Sequence, residues 1–248
     1  MTLNAALAAA ATLIASAFAI TTFDRWLRRR RPHEGAWSVA LALFALGSIA
    51  LWWAEARGWS LVSFRVFFLA GAILNVPWLA LGTVYLLWGR RVGDVTRNWL
   101  IGLSGAAVGV VLVAPAGEIG DEALPQGSDL FGVAPRVFAA VGSGVAAVVI
   151  IAGAVWSIVR VSRGRVPAAA GAARQVSNPR RTAAANGLIA LGTLVLSGSG
   201  TLAGRLGEDR AFAVTLLVGI AVLFAGFLTA TTVGSQRAAQ QLSEPVVR

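Results

Sequence analysis

Long uncharged, mainly apolar runs alternate along the chain with short polar interruptions. They fall at 3–23, 36–54, 61–88, 99–116, 137–159, 183–203 and 211–233. A helix rising about 1.5 Å per residue needs about 20 such residues to cross a hydrocarbon core about 30 Å thick. The pattern therefore predicts an all-α membrane protein: a single domain, 1–248, folded as a seven-transmembrane-helix bundle. The segments 115–135 and 160–182 are rich in Gly, Pro, Ala and polar residues and lack an apolar period, so both are predicted as loops.

Charge gives the bundle a direction. All 21 basic residues are Arg. Sixteen fall in the first, third and fifth loops and the tail, including Arg25, the run Arg28–Arg31, Arg90, Arg91 and Arg97; five fall at the other ends. The acidic residues run the opposite way, so the two faces carry +12 and −2 of the net +10. Basic loops stay in the cytoplasm, which places the N-terminus outside and the C-terminus in the cytoplasm. The same rule explains the charge without nucleic acid, and it implies contact with anionic lipids at the Arg-rich face. Ala15-Ser16-Ala17 resembles a signal-peptide cleavage site, yet no basic residue precedes the first run and five Arg follow it, so that run reads as a retained helix. Trp26, Trp37, Trp88, Trp99 and Trp156 fall at inner helix ends and Trp52, Trp53 and Trp59 at outer ones, where indoles anchor in headgroups. Trp78 alone lies near mid-membrane.

Composition agrees with the lipid setting and narrows the chemistry. The chain is 57% hydrophobic with 13% charged residues, against about 25% charged in a typical soluble domain, and its mean hydropathy is +0.74. Without Lys a retinal Schiff base is excluded, a single His excludes bis-imidazole haem, and the absence of Cys excludes thiol redox chemistry. No cofactor is expected. No ionisable residue stands mid-span, which removes the usual basis of a proton or cation pathway.

Three features remain. In the third span, Asn75-Val76-Pro77-Trp78 predicts a kink, because Pro77 lacks an N–H and frees the carbonyl of Ile73. Asn75 either glues two helices together or, with Trp78 and Thr83, lines a ligand pocket. In the sixth span, Ser197, Ser199 and Thr201 alternate with glycines; that break either contributes to the pocket or allows close packing, as do Gly105 and Gly109 in the fourth span. Glu55 and Arg65 stand at the expected outer mouth. Glu118, Asp121, Glu122 and Asp129 crowd one outer loop, which reads as an ion-paired lid over the outer arginines or as weak ligands for a divalent cation. A repeat at an offset of 145 residues relates Ala45-Leu46-Gly47-Ser48 to Ala190-Leu191-Gly192-Thr193, and Arg65-Val66-Phe67 to Arg210-Ala211-Phe212.

The stretch from Leu74 to Leu87, with Ala190-Leu191-Gly192-Thr193 and Phe224-Ala225-Gly226-Phe227, resembles uncharacterised seven-helix integral membrane proteins of actinobacterial type. The resemblance implies the fold and carries no activity. The leading expectation is a non-enzymatic protein of a bacterial inner membrane, a transporter or sensor for a small solute or lipid. Its cavity would open outward between helices two, three, six and seven. An accessory or scaffold subunit with a membrane-protein partner, and an interfacial lipid-modifying enzyme using the outer carboxylates, are the alternatives.

Overall fold

The computed structural model of the chain describes residues 3–119, 125–162, 184, 187–196, 214–226 and 228–229. Among them the protein is helical: α1 (Leu3–Arg29), α2 (Pro32–Arg57), α3 (Leu61–Phe67), a π-helix (Phe68–Leu74), α4 (Asn75–Val113), α5 (Gly127–Leu130) and α6 (Val133–Ser162). Two shorter apolar helices follow, α7 (Gly187–Leu196) and α8 (Val214–Gly226). Only an isolated bridge, Ala116 to Phe131, departs from this pattern. Four helical runs are long and apolar enough to cross a membrane: Ala5–Arg29, Pro32–Arg57, Leu61–Val113 and Val133–Trp156.

The third of these is 53 residues long, and it does not run straight. Gly89 interrupts it with φ 78° and ψ −174°, a conformation open essentially only to glycine. Tyr85 donates to Asp94, Trp78 to Ser104, and Arg65 to the carbonyl of Ala114. Each step back along one arm is thus matched by a step forward along the other. In a straight helix Arg65 and Ala114 would stand about 74 Å apart; here they are 2.8 Å apart. The run is an antiparallel hairpin closed at Gly89, with arms 61–88 and 90–113.

Helix α2 is central, touching α1, α3, the π-helix and α4. Its apolar residues point in all directions, as expected for a helix buried among others. Against it α1 presents Ala8, Ala11, Ala15, Phe18 and Thr22, all about 0% exposed and spaced by alternating threes and fours. Small side chains there bring the two backbones close. Gly47 meets the backbone of Gly71, and the indole of Trp37 donates to the carbonyl of Leu79 at 3.2 Å, so α2 lies antiparallel to the first arm of the hairpin. Helix α6 lies parallel to that arm, with Ser143 beside Ala72 and Gly153 beside Thr83. Phe224 of α8 rests on Phe18 at 4.7 Å.

The surface inverts the usual arrangement of a protein in water. Small and hydroxylated residues fill much of the interior, while Leu13, Ile20, Trp99, Val113, Val141, Val145 and Val148 are exposed.

Several predicted boundaries need correction. The loop expected at 89–98 is the single residue Gly89, and helix resumes at Arg90. Arg90 and Arg97 both pair with Asp94, at 3.6 and 3.4 Å, so this charged stretch is a solvated helical turn rather than a loop. The first loop likewise shrinks to Arg30 and Arg31. Helix α1 continues to Arg29 through the Asp24–Arg28 pair, Arg30 takes a positive φ of 52°, and Pro32 starts α2. Helix α6 exceeds its predicted 137–159 at both ends. Most of the loop 160–182, the glycine-rich break at 197–201 and the repeat at 210–212 lie outside the described residues.

Candidate functional site

The break in the third span begins with Pro77. In an α-helical register its missing N–H would orphan the carbonyl of residue 73. The chain instead widens into a π-helix over Phe68–Leu74, and the N–H of Asn75 donates to the carbonyl of Ala70, five residues back. That register moves the orphan one residue earlier. Ser143 of α6 meets it there, its hydroxyl donating to the carbonyl of Ala72. Helix α6 passes the break at van der Waals distance, since an added Cβ on Gly142 would stand 3.8 Å from both Ile73 O and Pro77 Cγ. The carbonyl that the neighbouring helix meets is thus Ala72 O, one residue before the Ile73 carbonyl expected from Pro77 alone.

Asn75 closes the π-turn, and its Oδ1 is buried with no donor. Among the other predicted pocket residues, Trp78 and Arg65 have found partners elsewhere. Trp78 donates its indole N–H to Ser104 at 3.3 Å, and Ser104 in turn donates to Leu100 O at 2.7 Å. Thr83 turns toward α6, where a Cβ on Gly153 would come within 2.6 Å of its methyl group. Arg65 caps the C-terminal end of the second arm through Ala114 O, favourably placed at the negative end of the helix. Glu55 is half-buried near the end of α2. At about 1.5 Å per residue, Thr83 stands about 12 Å and Arg65 about 15 Å along the axis from Asn75. The structure does not gather these residues into one lining. Ser197, Ser199 and Thr201 lie outside the described residues.

The outer loop holds down by apolar contact. Gly117 N–H donates to Leu130 O at 3.0 Å, and Leu130 and Phe131 are buried. Phe131 sits 5.4 Å from Phe64 and 5.1 Å from Phe68, forming an aromatic plug with α3 and the π-helix. Gly127 lies so close to the Phe68 ring that a Cβ would come within 2.6 Å of it. Glu118 and Asp129 are exposed and pair with no arginine among the described residues, and the Asp129 carboxylate accepts from Ser128 at 3.0 Å. Among the described residues the lid is anchored by Leu130 and Phe131. Asp121 and Glu122 lie outside the described residues, and among those described no group of three or more metal-ligating side chains comes together.

At the opposite end the surroundings of Glu34 are more enclosed than its place beside an arginine cluster implied. It is 5% exposed, with Arg29 at 4.0 Å. The positions around the break that sequence reasoning missed are Ser104, Ser143 and the π-turn itself. The signal for Ser143 was the Gly142-Ser143-Gly144 triplet in an otherwise apolar span. A groove of about 430 Å³ lies outside the predicted pocket, along the second arm of α4, lined by Val95, Asn98, Trp99, Gly102 and Leu103. No protein family, curated protein or solved structure matches the chain.

Proposed function

We propose that the chain is a seven-helix protein of a bacterial inner membrane, N-terminus outside, that binds a small solute or lipid at the break in its third span. It serves as a transporter or sensor. The lipid setting is supported by four long apolar runs, one of them a hairpin that doubles back, and by large apolar side chains on the outside over small ones within. The turns at Arg30–Arg31 and Gly89 lie at one end of the bundle with the arginine cluster, which fits a cytoplasmic face.

The observation that carries the binding reading is the buried, unmet Oδ1 of Asn75 beside a π-turn. A buried acceptor without a donor costs about 1–3 kcal/mol, and π-turns and broken membrane helices recur at binding sites. The missing partner is a hydrogen-bond donor, so the ligand carries a hydroxyl or an ammonium group. The test is a thermal-shift screen of the full chain in lipid nanodiscs against hydroxyl- and amine-bearing solutes and phospholipids. A ligand at 100 times its Kd stabilises the fold by about 2.7 kcal/mol. Asn75→Leu is expected to abolish that shift while leaving membrane insertion intact. A ligand that stabilises wild type and Asn75→Leu alike would show that it binds elsewhere.

A further inference from the structure

The second arm of α4 presents two opposite faces. Leu100, Ser104, Ala107, Val111 and Ala114, at steps of three and four, are wholly or partly buried. On the far side Arg91, Val95, Asn98, Gly102, Gly105 and Gly109 are exposed and fall within one narrow stripe at 3.6 residues per turn. The 430 Å³ groove occupies the upper part of this stripe. Below it the track stays open, since a Cβ on Gly102, Gly105 or Gly109 would meet no atom within 4 Å.

The charge at the head of the stripe says what fits. Arg90 and Arg97 share Asp94, whereas Arg91 is exposed and has no carboxylate partner among the described residues. Asn98 follows two turns further on, with the 74%-exposed Trp99 beside it. The order is cation, amide, indole, then bare apolar track, which matches the order of an anionic lipid from phosphate to glycerol to acyl chain. A second copy packed here about a two-fold axis would set Arg91 against its own counterpart; a phosphate neutralises it.

We infer that this face binds one phospholipid with an anionic headgroup, the phosphate held at Arg91, the glycerol beside Asn98 and an acyl chain lying along the groove and the glycine track. The inference rests on the membrane placement proposed above.

The experiment is native mass spectrometry of the full chain, released from nanodiscs and titrated with phosphatidylglycerol or with phosphatidylcholine of the same acyl chains. Wild type is expected to retain one phosphatidylglycerol in preference to phosphatidylcholine. Arg91→Gln lowers that preference about five-fold, the equivalent of about 1 kcal/mol for one arginine at a headgroup. Gly105→Leu, whose Cβ meets no atom within 4 Å and whose branched end fills the track, lowers retention of both lipids. Arg90→Gln makes the same charge change beside the stripe and leaves the preference in place. Equal retention by wild type, Arg91→Gln and Gly105→Leu overturns the proposal. Equal losses in Arg90→Gln and Arg91→Gln also overturn it, in favour of a diffuse field. A two-copy species lost in Gly105→Leu without any change in lipid reassigns the face to self-association. Alkaline carbonate extraction separates the two layers: a chain stripped from the bilayer refutes the membrane placement, while a chain that stays in the bilayer without lipid preference refutes only the groove.

Discussion

Gly82 lies where the first arm of the hairpin passes the indole of Trp37, and a Cβ added there would fall on the ring at Nε1 and Cδ1. The obstruction is the rigid part of a side chain, so relief requires the whole indole to swing away and give up its 3.2 Å donation to Leu79 O. Overpacking of this kind costs about 1–3 kcal/mol, and the lost hydrogen bond about 0.5–1.5 kcal/mol. Replacing a mid-helix glycine by alanine returns about 1 kcal/mol. Gly82→Ala is therefore expected to destabilise the protein by about 2 kcal/mol, which for a chain of this size lowers the melting midpoint by about 4–8 °C. Gly109→Ala is the matched control, because its Cβ meets nothing; its midpoint stays level or rises. The assay is the melting of the full chain in mild detergent, followed by the fraction that remains monodisperse after heating. A double-mutant cycle isolates the cause. In a Trp37→Leu background the cost of Gly82→Ala should fall by about 1–2 kcal/mol, within the usual coupling of touching residues. If Gly82→Ala melts with wild type, or costs as much when Trp37 is absent, the packing of α2 on the hairpin has been misread.

Two further substitutions test the ends of the same hairpin. Phe131→Ala removes the plug between Phe64 and Phe68 and should cost about 3–5 kcal/mol, with faster protease cutting of the 115–132 loop; unchanged cutting would mean that the loop is anchored elsewhere. Ser143→Ala leaves Ala72 O without its donor and should cost about 0.6–1.7 kcal/mol, the range of hydrogen bonds between membrane helices. Ser143→Thr keeps the hydroxyl and should melt near wild type, and equal losses in the two variants would refute a role for the donation.

The long apolar runs were legible in the sequence because the hydrocarbon core imposes a length, and the run lengths obey it. What the pattern does not contain is where a helix stops. On the proposed membrane placement Arg90, Arg91, Asp94 and Arg97 mark the level at which lipid gives way to water, and reading that change as a loop put the fourth helix nine residues late. Arginine is a good helix former, and Asp94 pairs with neighbours one turn away on both sides. The helix therefore continues into water until the chain needs a conformation that only Gly89 adopts. The outer loop misled in the converse way. Its four carboxylates drew attention by their number, whereas among the described residues the anchoring contacts come from Leu130-Phe131, an apolar pair stranded in a polar loop.

The site was legible only in part, because a polar residue in lipid has two uses and the sequence does not say which one it serves. Every buried donor or acceptor in a hydrocarbon setting must find a partner, so the first claim on such residues is internal. Trp78 spends its N–H on Ser104, Arg65 spends a guanidinium nitrogen on Ala114, and Ser143 spends its hydroxyl on the carbonyl that the π-turn exposes. Each of these partners comes from a different helix or arm, at a separation of 26 to 71 residues, and no local pattern encodes that meeting. Once the pairing is complete, what is left over becomes informative. Within the third span the buried acceptor left without a donor is Asn75 Oδ1, with the Nε of Arg65 also unmatched, and at the head of the second arm the unmatched group is Arg91, the one of three neighbouring arginines that Asp94 does not hold. Asn75 Oδ1 is a buried acceptor that calls for a donor, and Arg91 is an exposed cation, at the headgroup level on the proposed placement, that calls for an anion. The proposed binding chemistry is therefore better sought in these unmatched groups than in the polar residues as a class, many of which are already committed to carbonyls of their own or a neighbouring helix.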